Sequence, residues 1–432
     1  MRAPAAATLQ RLLRARRRAI VLILVLWIAV VLALLAYSAL FQSTLENRIV
    51  SLRRDQFLAE TLASAGIARA YTDLRNDIIF DYSQEEDPPF DAEGDVWARV
   101  DIDKQDVELG AGTFTVEVTD TDRLLNINRM GINNKPLLQA IIERVGYSEE
   151  DAEIAASAII DYMDADDQPS LPSSVAGEES LVWGIIRAQD ENLPDRPEDV
   201  ELLHFPNEPL PTVDALLDVY GVTPELFFGP GTPEAEHFRE LLGPRRGEMF
   251  EIQEGRRRRR SDQPLGLRDY FTVWGAQQVN INTAPAHVLE ALFEAGGISD
   301  PEDLADTLIR LRRGGRSDRI DNDRAFKSLA QVQEDAQIAA GVAAISGLYP
   351  VNVQSFHFRV RSTGRVGEST ATKEVVVLRG LSLMQVQEDY ERTPVEEERA
   401  ERLEERTERR IDRDNALVVR IPTIRTIQWI DP

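Results

Sequence analysis

Asp161, Asp164, Asp166 and Asp167, with Glu178 and Glu179 close behind, form the acidic constellation in the sequence best suited to chemistry. Clustered carboxylates offer hard oxygen donors, the ligand type that calcium gathers around itself. The spacing is not that of an EF-hand loop. Asp161, Asp164 and Asp166 are read as a candidate calcium site, and a helix end running into a solvated acidic loop is the alternative. Asp120 and Asp122 form a second candidate acidic pair.

Catalytic chemistry has less to draw on. The four histidines, His204, His237, His287 and His357, are scattered without zinc spacing. No nucleophile elbow, phosphate loop or dinucleotide fingerprint occurs. Without cysteine there is no thiol nucleophile, disulfide or cysteine metal site. An enzyme is not expected.

The elements that position these acids begin with a membrane address. Arginines at 2, 11, 14, 16, 17 and 18 precede an apolar run from Ala19 to Phe41, and no acidic residue occurs before Glu46. About 22 apolar residues at 1.5 Å each reach roughly 33 Å, enough for a hydrocarbon core of about 30 Å. The basic flank places the N-terminus in the cytoplasm and exports the bulk of the chain on a single-pass anchor, which in a bacterium would be an inner-membrane protein with a periplasmic body. A cleavable signal ending near Ala36-Tyr37-Ser38 is the competing reading. Beyond the run, Leu45, Ile49, Leu52, Leu58, Leu62 and Ile67 continue near helical spacing, with Ala59, Ala63, Gly66 and Ala70 on a second stripe. Either one helix runs from the lipid into the exported part, or a separate amphipathic helix follows the anchor.

The 432 residues are 43% apolar and 28% charged, which suits two or three globular domains. A net charge of -25 repels a phosphate backbone, so nucleic acid is not an expected partner.

Residues 96–102 and 113–119 read as strands, and 356–362 with the segment after it as a second hairpin. About 225 mainly helical residues separate the two blocks. One sheet split by a large helical insertion is the economical architecture, with two very small β-domains as the alternative. Within the insertion, Asn126-Ile127-Asn128 and Asn280-Ile281-Asn282 each precede a helix, a glycine turn and a second helix. The Asn side chains suit strand-to-helix corners; Thr283 suits an N-cap, with Pro285 in the first helical turn. Helix-hairpin-helix units can bind DNA, and a membrane-anchored DNA-binding protein is the alternative function. However, carboxylates 300, 302, 303 and 306 follow the second hairpin. Arginines 256–260 read as a solvated linker. Residues 386–415 read as an exposed charged helix, and 417–430 alternate like a strand.

The apolar N-terminal helix, Asn126-Ile127-Asn128, Asp161-Tyr162-Met163-Asp164-Ala165-Asp166, the run Thr212 to Glu225 (TVDALLDVYGVTPE) and Val279-Asn280-Ile281-Asn282-Thr283-Ala284-Pro285 together resemble the K-type minor pseudopilin of bacterial type II secretion. The resemblance covers roughly residues 12 to 385. It implies an α+β fold: a pilin-like long N-terminal helix packed on a small antiparallel sheet, with a large helical insertion splitting the sheet. It also implies a subunit at the pseudopilus tip that supports pseudopilus assembly and protein export across the outer membrane. The implied partners are the I-type and J-type minor pseudopilins, the major pseudopilin and prepilin peptidase. With Trp27 on the family's usual tryptophan, leader cleavage falls between Ala19 and Ile20. The residue before the cut is usually glycine, and Ala19 departs from that. Most pilins carry glutamate at the fifth mature position, here Leu24, a departure normal in the K type. Calcium binding, frequent among related pseudopilins, fits the acidic run.

The expected divisions are a basic leader (1–18), a transmembrane helix (19–41), a pilin-like helix with first strands (42–125), a helical insertion (126–345) with units at about 126–230 and 279–345, returning strands (346–385) and a terminal extension (386–432).

Overall fold

The computed structural model describes residues 5–83, 89–99, 104–171, 178–190, 203, 205–242, 264–313, 325–386 and 417–430. One helix, α1 (Ala5–Ser83), carries the chain from its basic start through the apolar run into the folded part. Its 79 residues span about 118 Å at 1.5 Å per residue. Of the two readings of this region, the continuous helix is the one observed. From Leu24 to Arg54 every side chain is exposed, and this helix is long and apolar enough to cross a membrane.

Along the chain follow β1 (Val107–Leu109), β2 (Gly112–Asp120), β3 (Leu125–Asn126), α2 (Lys135–Val145), α3 (Glu149–Met163), α4 (Glu179–Asp190), α5 (Pro224–Phe228), α6 (Pro233–Leu242) and α7 (Leu267–Tyr270). Then come β4 (Phe271–Thr272), β5 (Val279–Asn280), α8 (Ala286–Ala295), α9 (Pro301–Arg312), α10 (Leu329–Val332), α11 (Ala336–Ile345), β6 (Val351–Asn352), β7 (His357–Val366), β8 (Ser369–Val386) and β9 (Leu417–Ile430).

The main sheet is antiparallel in the order β1-β2-β7-β8-β9. Strands β2 and β7 pair from Thr113↔Arg365 to Asp120↔Phe358, so the chain leaves the sheet after β2 and re-enters beside it. This is the split sheet expected from the alternating segments, and with α1 across it the fold is α+β: a long N-terminal helix on an antiparallel sheet that a helical insertion divides. The terminal segment adds β9 as an edge strand. The expected strand at 96–102 is different: residues 96–98 form a turn, and 100–102 lie outside the described residues. Buried Lys104 holds the turn by bonding the carbonyls of Val96 and Trp97, and Trp97 packs edge-on against Phe358, ring centres 4.9 Å apart. The alternation there reflects one buried tryptophan.

The small-residue stripe lets α1 lie close on the sheet. A Cβ on Gly364 of β7 would come 2.1 Å from the Ala59 carbonyl oxygen, and one on Gly66 would come 2.1 Å from Ser362 Oγ. Around these contacts Leu62, Ile67, Leu74, Phe114, Val116, Phe358, Val360 and Val375 form one core. A second, larger core contains residues from Leu125 to Val353, including Leu137, Ile141, Ile159, Leu289, Leu292 and Leu308.

The Asn-Ile-Asn corners connect these parts. Asn126 Oδ1 accepts from the Asn128 amide at 3.0 Å, and Asn280 Oδ1 from the Asn282 amide at 2.9 Å. Each corner starts at a short parallel pairing, β3 with β4 and β5 with β6. Thr283 does not cap the helix as expected. Its hydroxyl donates to Asp120 at 2.5 Å, and Pro285 occupies the N-cap of α8. The chain turns sharply there, so the threonine faces the sheet junction. The expected charged helix at 386–415 and the Arg256–Arg260 linker lie outside the described residues, apart from Val386 at the end of β8.

Candidate cation site

Helix α3 delivers Asp161 in its last turn and ends at Asp164, while Glu179 opens α4. One carboxylate oxygen from each of these three residues lies within 4.8 Å of the others. Helix dipoles make the C-terminal end of α3 partially negative, which adds to the carboxylates' potential. Trp183, one turn after Glu179, donates Nε1–H to Asp161 Oδ2 at 2.6 Å, and the Ser170 amide donates to Oδ1 at 2.8 Å. Asp161 is therefore anchored.

The other two acids are not. Glu179 is fully buried, yet neither of its oxygens has a hydrogen-bond partner among the described residues; Asp164 Oδ1 is equally unpartnered. Burial, then repulsion from Asp161, pushes the Glu179 carboxyl up to about 8 and Asp164 up to about 6. Buried carboxylates without donors are costly and resolve that cost by protonation or by a cation. Unused hard oxygens beside an anchored carboxylate fit calcium.

Asp166 is not in this group. It is exposed, and Asp166 Oδ1 accepts the Gln168 amide at 2.9 Å in a local turn. At Asp164, the C-cap, the backbone turns from helical to extended, so Asp166 leaves the helix end. Glu179 takes the third place, and the signal for it was its four-residue spacing from Trp183, which sets both on one helix face.

The second acidic pair is satisfied by protein donors. Asp120 Oδ2 accepts from Thr283 at 2.5 Å and Ser355 at 2.6 Å, and burial raises its carboxyl to about 7. Asp122 accepts the amides of Ala276, Phe356 and His357 at 2.7, 2.6 and 3.1 Å. This cluster fastens the sheet to the insertion. A further acidic group, Asp77, Asp91 and Asp95, is occupied by the guanidinium of Arg379, bonded to Asp77 and Asp91.

Ala19 and Ile20 lie within α1, and Leu24 on the same helix is 59% exposed. At the second glycine hairpin the amides of Gly296, Gly297 and Ile298 bond the carbonyls of Leu292, Glu294 and Phe293. Arg144, buried between the two helical units, lies 2.5 Å from both Glu290 and Glu294. The hairpin donors and this arginine are thus engaged within the protein.

No protein-family model matches the chain, and no curated protein matches its sequence. Among solved structures, it is similar to one chain in the crystal structure of the GspK-GspI-GspJ complex from the enterotoxigenic Escherichia coli type 2 secretion system. The two are 15% identical with a TM-score of 0.47, over 88% of this chain and 99% of that one.

Proposed function

We propose that this chain is a K-type minor pseudopilin, a structural subunit at the tip of a type II secretion pseudopilus that supports its assembly and protein export. The observation that carries this reading is α1, which presents an exposed apolar half and then packs on a sheet split by a helical body. An exposed apolar helix of this length is stable in lipid or against the helices of neighbouring subunits. The order of the sequence blocks from Asn126 to Pro285 supports the K type.

Leu24 supports the tip position. A carboxylate at the fifth mature position neutralises the ammonium of an adjacent subunit, and leucine leaves that ammonium unpaired in an apolar setting. Growth above this subunit is disfavoured. Its partners in this reading are the I-type and J-type minor pseudopilins, the major pseudopilin and prepilin peptidase, with the N-terminus cytoplasmic and the bulk periplasmic. Calcium held by Asp161, Asp164 and Glu179 stabilises the loop between α3 and α4.

The reading is tested by co-expressing the chain with prepilin peptidase and sequencing its N-terminus. Ile20 as the first residue supports it. Release of the chain by cleavage after Ser38 would instead make the apolar run an ordinary signal.

A further inference from the structure

The outer edge of β9 pairs with no strand among the described residues. A bare edge presents backbone donors and acceptors in the register of another strand. Helix α1 runs beside it, and together they enclose a groove of about 400 Å³ lined by Tyr71, Thr72, Arg75, Asn76, Ile79 and Ile424. The hydroxyls of Tyr71 and Thr426 bond at 2.5 Å, which ties strand to helix at this groove. Arg75, Ile79, Arg425, Ile427 and Trp429 (56% exposed) are accessible. An edge strand beside a helix is the layout in which extended peptides join a sheet, with backbone bonds supplying affinity and side-chain pockets selectivity.

Charge narrows the occupant. From Leu417 to Ile430 the chain carries Arg420 and Arg425 and no acid, and Arg75 adds positive charge in the groove, against a chain total of -25. A second copy pairing through β9 would set these cations against their own kind. We propose that the β9 edge and its groove dock an extended segment of a different protein, one in which apolar and acidic residues recur. Its backbone pairs along Ile424–Trp429, an apolar side chain meets Ile79 and Ile424, and carboxylates meet Arg75 on one face of the strand and Arg425 on the other.

The test uses the full chain in detergent micelles and a labelled peptide, Thr-Val-Glu-Glu-Thr-Ile-Thr, which puts apolar residues and one carboxylate on one face and a second carboxylate on the other, followed by fluorescence anisotropy and hydrogen exchange. Saturable binding that protects the amides of 424–429 is expected, weakened at least tenfold when alternate peptide amides are N-methylated. The exposed double substitution Arg75→Glu with Arg425→Glu should weaken it similarly at unchanged melting temperature and bind the lysine counterpart of the peptide instead. Equal affinity for both peptides, indifference to N-methylation or absence of binding at millimolar peptide would overturn the proposal. So would self-association of the chain that protects the β9 amides.

Discussion

Arg379 Nη1 lies 3.0 Å from Asp77 Oδ2, joining strand β8 to the last turns of α1. The same guanidinium bonds Asp91 and the Ser355 carbonyl, and sits 4.5 Å from the centre of the Phe358 ring. Sheet, helix and re-entering chain thus meet at one buried cation. Arg379→Met leaves Asp77 and Asp91 without it, and a loss of about 3–5 kcal/mol is expected in urea unfolding. Arg379→Lys restores charge but not the planar fork, so it should recover only part. Unchanged stability in the methionine variant would contradict this role.

Close approach of α1 to the sheet makes a second prediction. At Gly364 an added Cβ meets the backbone atoms Ala59 O and Ala63 N, at 2.1 and 2.7 Å, which cannot turn aside. Gly364→Val should cost about 1–3 kcal/mol or more and expose α1 to protease beyond residue 55. Gly131→Ala, with nothing within 4 Å, is the control and should leave the melting temperature in place.

The cation site gives a pH dependence whose sign is fixed. Glu179 is held at about 8 and Asp164 at about 6, above their ordinary values, so the folded state keeps protons that the unfolded chain releases. Their stabilising contribution is present below about pH 4 and is lost as pH rises toward 8. Chelator-treated protein should therefore melt lower at pH 8 than at pH 5, and Glu179→Gln should flatten that slope. Millimolar calcium at pH 7.5 should raise the wild-type melting temperature by several degrees and the Glu179→Gln variant's by much less. Equal shifts in both proteins, or none, would remove this site from the account.

What could be read in advance follows from the range of the interactions. The apolar run and the split sheet were legible because apolar periodicity is local to each element, whereas periodicity alone left one continuous helix and two separate ones equally open. Asp161 and Asp164 were legible for the same reason, being one turn apart on α3. Glu179 was harder to rank because a chain reversal brings it to them, and Thr283 was misread because its hydroxyl serves Asp120, far away in sequence. The turn at Trp97 deceived because burial by a sheet face mimics strand alternation. Arg379 gave no signal at all: its partners come from α1, the loop after it and the segment that re-enters the sheet at β7.

DNA should not be retained. The hairpin amides of Gly296 to Ile298 are already bonded within the protein, and Asp300, Glu302 and Asp303 flank the start of α9. Duplex held at about 50 mM salt and released at about 200 mM would instead favour the helix-hairpin-helix reading.

The most direct measurement is the native mass of the complex extracted from membranes after co-expression with prepilin peptidase and the I-type and J-type minor pseudopilins. A stable assembly containing one copy of this chain beginning at Ile20, together with both partners, is the predicted result. This chain alone, with Met1 intact, would contradict the account.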